Sequence, residues 1–306
     1  PKFSRAVVLR MTPPPDGHDE RARARDRWWP SAPKAEDELG MLNHIGEAKR
    51  LQALALVRAG RLYDLAHVLD ENVPVFPGRY FRQTLVTTAH HSNAGDSHDV
   101  PSGLGDCNVN WITETISGTM QLGTHLDALS HLQMGDRGYN GWSVSELAET
   151  WGVNRLGAET IPQIVTRGWL VDVLAARGVD HLGVGDVITL NDVQRALDGD
   201  APEPGDAVLF HTGWGARWEQ PDKYLVGEPG PGMELAEWLA DRGVALTGCD
   251  TWSYGPVPSE DPDAPFGVPQ HLNVRHGVFI VENLDTAALA ADGVREFALI
   301  LTHPKL

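Results

Sequence analysis

Met120-Gln121-Leu122-Gly123-Thr124-His125-Leu126-Asp127-Ala128-Leu129-Ser130-His131 is the stretch on which the reading of this chain turns. If it runs as a strand into a turn, side chains alternate between faces, and Gln121, Gly123, His125 and Asp127 share one of them. An imidazole and a carboxylate two residues apart can grip one divalent ion, and Gly123 keeps the backbone slim beside them. His131 follows within reach to handle protons. Leu122, Leu126 and Leu129 supply the apolar backing. His-x-Asp is a common spacing in a chain with 13 histidines, so the pair needs partners from elsewhere.

Working outward, His271-Leu-Asn-Val-Arg-His276-Gly-Val-Phe-Ile-Val-Glu282-Asn-Leu284 offers those partners. Val278, Ile280 and Glu282 share a parity along a predicted strand, so Glu282 is expected to point inward with its apolar neighbours. A carboxylate there needs a cation or a hydrogen-bonding network. His276, beside the turn glycine Gly277, and His211, at the end of another predicted strand, read as structural histidines. Asp64 and His67 read as a satisfied pair near a turn.

The Gly123–His131 string closely resembles the signature His-x-Gly-Thr-His-x-Asp-x-x-x-His of the metal-dependent cyclase-like hydrolases, the family of bacterial kynurenine formamidase and isatin hydrolase. The 271–283 string resembles that family's distal metal segment, in which a histidine precedes a glycine-initiated strand ending in Glu-Asn-Leu. One position departs from the pattern, because Gln121 stands where the family has its first histidine. The resemblance covers roughly residues 36 to 303. It implies an α/β fold of the swivelling β/β/α cyclase-like type, with a sheet-rich core, flanking helices and a homodimer or homotetramer. It also carries His271 and Glu282 over as metal-site residues beside Gln121, His125 and Asp127.

Kynurenine formamidase resemblance implies two zinc ions, the first motif histidine holding the second. Gln121 offers only a neutral amide, which binds zinc poorly beside imidazole. The expectation is therefore one divalent metal per subunit, manganese or zinc, with Gln121 as a weak ligand or water anchor. His131 is the expected proton carrier, and Glu282 can share the proton. The implied reaction is hydrolysis of a small cyclic amide, aryl formamide, lactone or related acyl compound by metal-activated water. A metal-dependent lyase, dehydratase or cyclase is the catalytic alternative, and a metal- or ligand-binding protein the non-catalytic one. No Gly-x-Ser-x-Gly elbow occurs, and Ser130 directly beside His131 does not make a folded triad.

Composition narrows the partners. Forty-two acidic against 25 basic residues give a net charge of −17, which disfavours nucleic acid and anionic membrane surfaces. A small-molecule substrate remains, and abundant tryptophan makes a flat aromatic ring the expected shape. No apolar run reaches the about 18 residues of a membrane span, and the opening residues lack a signal-peptide core. With only Cys107 and Cys249, a reducing cytoplasm is the expectation. Residues 1–35 read as an irregular arm anchored by Trp28 and Trp29, and 36–306 as one cyclase-like hydrolase domain. Within it, Asn43 is expected to cap a helix running to Val57, residues 60–67 to form a strand, and the histidine-bearing loop 88–110 to form a lid. Tyr139 and Trp142 line a pocket or pack beneath a turn. Helix-strand alternation through the second half predicts α/β.

A mononuclear site created by the glutamine has a direct signature in elemental analysis. We expect one manganese or zinc per subunit in the unmodified protein, rising towards two in Gln121→His.

Overall fold

The computed structural model describes residues 28–87 and 111–305. The predicted lid, with His90, His91 and His98, lies outside them. Cys107 does too.

The β-branched and leucine-rich runs fold into eight principal strands: β1 (Phe81–Thr87), β2 (Thr113–Gly118), β3 (His125–Asp127), β4 (Ile164–Asp172), β5 (Ala207–His211), β6 (Leu246–Cys249), β7 (Phe279–Glu282) and β8 (Glu296–Leu301). The main sheet has six strands in the order β8-β4-β5-β6-β7-β3. Its four central strands run parallel, and β8 and β3 close the edges antiparallel. β1 and β2 pair as a separate antiparallel ribbon. Parallel neighbours need crossovers. The principal helices on the two faces are α1 (Glu47–Leu54), α2 (Leu190–Leu197), α3 (Met233–Asp241) and α4 (Ala287–Ala291).

Strand alternation sorts the core into two layers. Trp169, Val171, Val208, Phe210 and Ile280 face a layer that includes Val193, Leu235 and Leu239 from α2 and α3. Leu170, Leu209, Phe279 and Val281 face the opposite layer with Leu42, Ile45 and Leu289. Leu235 and Leu239 are wholly buried, each worth about 1.5–3 kcal/mol of apolar transfer. The expected α/β class is therefore the observed one. Helix starts follow local chemistry: Thr189 and Asp192 form the capping box of α2, as their spacing predicts.

Two local expectations fail. α1 starts after Gly46, because the Asn43 amide instead donates to Asp37 Oδ1 at 2.6 Å and to the Gly40 carbonyl at 2.9 Å. Residues 60–67 form no strand. Asp64 Oδ1 accepts the Ala66 N–H at 3.1 Å, which turns the chain, and Ala66 alone bridges Leu284.

The described end of the arm lies on its own chain. Asn140, at φ 58°, accepts the N–H groups of Ser31 and Ala32 and donates to the carbonyls of Lys34 and Ala35. A Cβ on Gly141 would stand 2.3 Å from Trp29 Cδ1, so only glycine admits the ring. Tyr139 is buried and donates to Asp37 at 2.8 Å, packing beneath this turn rather than lining a pocket. Among the described residues, no helix is long and apolar enough to cross a membrane.

Asp206, fully buried, ties α1 to the sheet. It accepts from Arg167 Nε at 2.9 Å, Trp169 Nε1 at 3.0 Å, Lys49 Nζ at 2.7 Å and the Glu203 N–H at 2.8 Å. Burial pushes its pKa up, but these donors together hold it below the ordinary 3.8. Its contribution is thus present above that value and lost as pH falls through the lower folded one. Denaturant unfolding of Asp206→Ala is expected to show a loss of about 3–5 kcal/mol at neutral pH, since Arg167 and Lys49 are left unpaired. The variant should also lose less further stability than the parent on acidification below pH 3.8.

Candidate metal centre

Register builds the site. β3 pairs antiparallel with β7 so that His125 stands opposite Glu282 and Asp127 opposite Ile280. Cross-strand partners share a face, and residues two apart on one strand do too. His125, Asp127, Glu282 and Ile280 therefore project from the same side. Val278 and Ile280 are fully buried, which takes Glu282 inward as its parity predicts; it is 8% exposed and Asp127 3%.

One ligand atom from each of His125, Asp127 and Glu282 lies within 4.8 Å of the other two. His125 Nε2 stands 3.5 Å from Asp127 Oδ1 and 3.4 Å from Glu282 Oε2. Its Nδ1 is 2.9 Å from the Gly123 carbonyl, which can only accept, so the proton sits on Nδ1 and Nε2 presents a lone pair. Both Nε2 and Asp127 Oδ1 are buried without a hydrogen-bond partner among the described residues. Three candidate ligand atoms thus converge on one point. Two ionised carboxylates within 4.8 Å would repel by at least about 3.5 kcal/mol even at an effective dielectric of about 20. Burial first, then Asp127 and Glu228, raise Glu282 well above the carboxylate range, with Arg79 opposing. A divalent cation resolves all of these conflicts, and one imidazole with two carboxylates is a donor set that suits one.

Hydrogen bonds from neighbouring groups hold the frame. Thr124 Oγ1 donates to the Asn283 carbonyl and accepts the His67 N–H at 2.9 Å, linking the residues beside His125 and Glu282. Tyr224 donates to Asn283 Oδ1 at 2.7 Å. Glu228, fully buried, receives the Trp252 and Ser253 N–H groups and the Ser253 hydroxyl. Burial pushes it up to about 8 against those three bonds. Nothing in Val226-Gly-Glu228-Pro marks this residue in the sequence. Asn283, by contrast, follows directly in the Glu-Asn-Leu string.

His131 lies beside the cluster, its Nε2 3.9 Å from Asp127 Oδ1 and its side chain 30% exposed. Gln121 does not follow the expected alternation. The strand begins only at His125, and Gly123 at φ 56° turns the chain just before it. The Gln121 carbonyl accepts from Arg79 Nη1 at 3.1 Å. His271 is the clearest departure, for it is not part of the three-residue group. It occupies a π-helical turn, His271–Arg275, with its ring 4.6 Å from that of His276. Burial, then His276 and Arg275, lower it to about 4. Strand parity aims Glu282, whereas the helical turn sets His271 by its own geometry.

His211 is hydrogen-bonded as a structural histidine, its Nδ1 2.7 Å from Thr286 Oγ1. Asp64 is satisfied as expected. His67 is not, since it stacks on Trp218 at 4.0 Å and its buried Nε2 lacks a partner.

The sequence profile of the family described as "Putative cyclase" matches residues 63–256. The chain belongs to the cyclase family. A solved structure described as a novel cyclase is 26% identical, covers 86% of this chain and 88% of its own, and superposes with a TM-score of 0.76. Isatin hydrolase A from Labrenzia aggregata, solved with benzyl benzoate, is 22% identical over 78% of this chain and 87% of its own, with a TM-score of 0.53. Isatin hydrolase A from Ralstonia solanacearum is 21% identical over 78% and 86%, with a TM-score of 0.52. These two share the cyclase-family fold with the chain. No curated protein matches it.

Metal binding to this cluster has a thermal signature. Manganese or zinc at about 100 times Kd should stabilise the folded chain by about 2.7 kcal/mol. Differential scanning calorimetry is expected to show that rise in the parent and none in His125→Ala.

Proposed function

We propose that the chain is a metal-dependent hydrolase of a small cyclic amide, aryl formamide, lactone or related acyl compound. The observation that carries this reading is the convergence of His125 Nε2, Asp127 Oδ1 and the buried Glu282 carboxylate, the first two without a hydrogen-bond partner among the described residues, beside a partly open His131. His125, Asp127 and Glu282 would hold one divalent ion per subunit, which would polarise a carbonyl oxygen and lower the pKa of a water towards about 7.

The remaining steps belong to the chain's own side chains. His131 takes a proton from the attacking water and returns it to the leaving nitrogen or oxygen. Asp127, 3.9 Å from its Nε2, stabilises the imidazolium as it forms. Glu282 is the second group able to carry that proton. Gly123, through its carbonyl, keeps the lone pair of His125 turned towards the carboxylates.

A flat substrate is supported by aromatic rings on residues bonded to the frame of the centre, His67 through Thr124 and Trp252 through Glu228. His67 and Trp218 stack within 5° of parallel, and Phe76 meets Trp252 edge-on at 4.7 Å. The benzyl benzoate bound to the Labrenzia isatin hydrolase is an aromatic ester, in keeping with this class of ligand.

His131→Ala is expected to keep its metal by elemental analysis and to lose turnover by about 10²–10⁴-fold. In labelled water, one solvent oxygen should enter the product. Product free of solvent oxygen would replace hydrolysis with the lyase or cyclase reaction.

A further inference from the structure

Arg79 brings a positive charge to the edge of the centre and, among the described residues, pairs it with no carboxylate. A turn places it just ahead of β1: Gly78 takes φ 94°, and the Arg79 N–H donates to the Phe76 carbonyl at 3.0 Å. From there Nη1 donates to the Gln121 carbonyl at 3.1 Å, on the segment that leads into His125. That is the one hydrogen bond of its side chain among the described residues. A guanidinium carries five N–H donors in a planar fork, so the Nε–Nη2 edge is left free. The residue is exposed, and solvent reaches that edge.

The charge acts on the centre itself. Burial, Asp127 and Glu228 all raise Glu282, and Arg79 is the cation that opposes them. It does so without forming an ion pair with Glu282, so the guanidinium is not consumed there. A divalent ion would balance the charges of Asp127 and Glu282, which leaves Arg79 unmatched when the site is filled. Rings flank it on both sides in the chain. Phe76 meets Trp252 at 4.7 Å, and Phe81 packs against Trp214, Trp218 and Tyr224. A chain of net charge −17 repels anions at long range, so an anionic substrate needs a local cation. An arginine kept clear of the chain's own carboxylates supplies one.

We propose that Arg79 binds a carboxylate on the substrate, which makes the compound hydrolysed an aromatic acyl compound bearing that anionic group. The inference takes its reaction from the hydrolase reading above, whereas the binding it describes needs no turnover. The Nε–Nη2 edge donates two parallel hydrogen bonds to the carboxylate, and Nη1 stays on the Gln121 carbonyl.

Benzoate and nitrobenzene test this, since they match in shape and differ in charge. Isothermal titration calorimetry of each into the metal-loaded full chain is expected to show benzoate bound at least about 10-fold more tightly. Arg79→Met should erase that preference, with nitrobenzene affinity and metal content as in the parent, and Arg79→Lys should keep part of it. Arg195→Met, at an exposed position on α2, removes the same charge and should leave the preference intact. If Arg79→Met fails to fold, Arg79→Gln is measured by the same criteria. A parent without the preference overturns the proposal. So does a preference that survives Arg79→Met, which would put the carboxylate on the metal. Equal loss of both ligands, or loss of metal, would make Arg79 a brace for the Gln121 segment and also overturn it. A preference that depends on Arg79 beside product free of solvent oxygen would remove the hydrolase and keep the carboxylate site.

Discussion

The centre depends on one antiparallel pairing. β3 is three residues long, yet its register against β7 brings an imidazole and two carboxylates to one buried point. A shift of one residue would send His125 and Asp127 to the opposite face. Thr124 and Asn283 guard against that shift, because their hydrogen bond joins the two strands just outside the paired segment.

Such a cluster is electrostatically expensive, and the surrounding fold is organised around the cost. Desolvated carboxylates demand a cation or protons. The protein places Glu228 close enough to act on Glu282, and satisfies it with two backbone N–H groups and a hydroxyl. Asp206, at the opposite end of the parallel strands, shows the contrasting solution. There Arg167 and Lys49 are built in and the carboxylate stays ionised. Lys49 and Arg167 bond Asp206 directly, whereas among the described residues no Lys or Arg forms an ion pair with Asp127 or Glu282, and Arg79 only opposes the rise of Glu282.

Ribbon and centre are joined through the same short segment. Gly118 ends β2, and Met120, Gln121 and Leu122 connect it to the turn at Gly123 that sets the tautomer of His125. Belonging to the cyclase family accounts for the sheet and its helices. The glutamine at position 121 does not follow from the fold.

Much of this was legible in the residues themselves. The His125–Asp127 pair, the parity of Val278, Ile280 and Glu282, and the Thr189–Asp192 box depend on period-two or period-three spacing, and the structure reproduces each locally. Where polar side chains compete for the backbone, local pattern misleads: Asp64 turns a segment whose residues suit a strand, and Asn43 bonds Asp37 instead of capping α1. The sequence by itself determined the α/β class, the inward-pointing Glu282 and the placement of His125 and Asp127 on one face, because alternation along a strand is a property of the local chain. Only tertiary structure decided that Glu282 and His125 stand opposite each other, that His271 turns towards His276, and that Glu228 acts on the centre. Those outcomes rest on register and on a helical turn closing over long sequence separations, which no local spacing encodes.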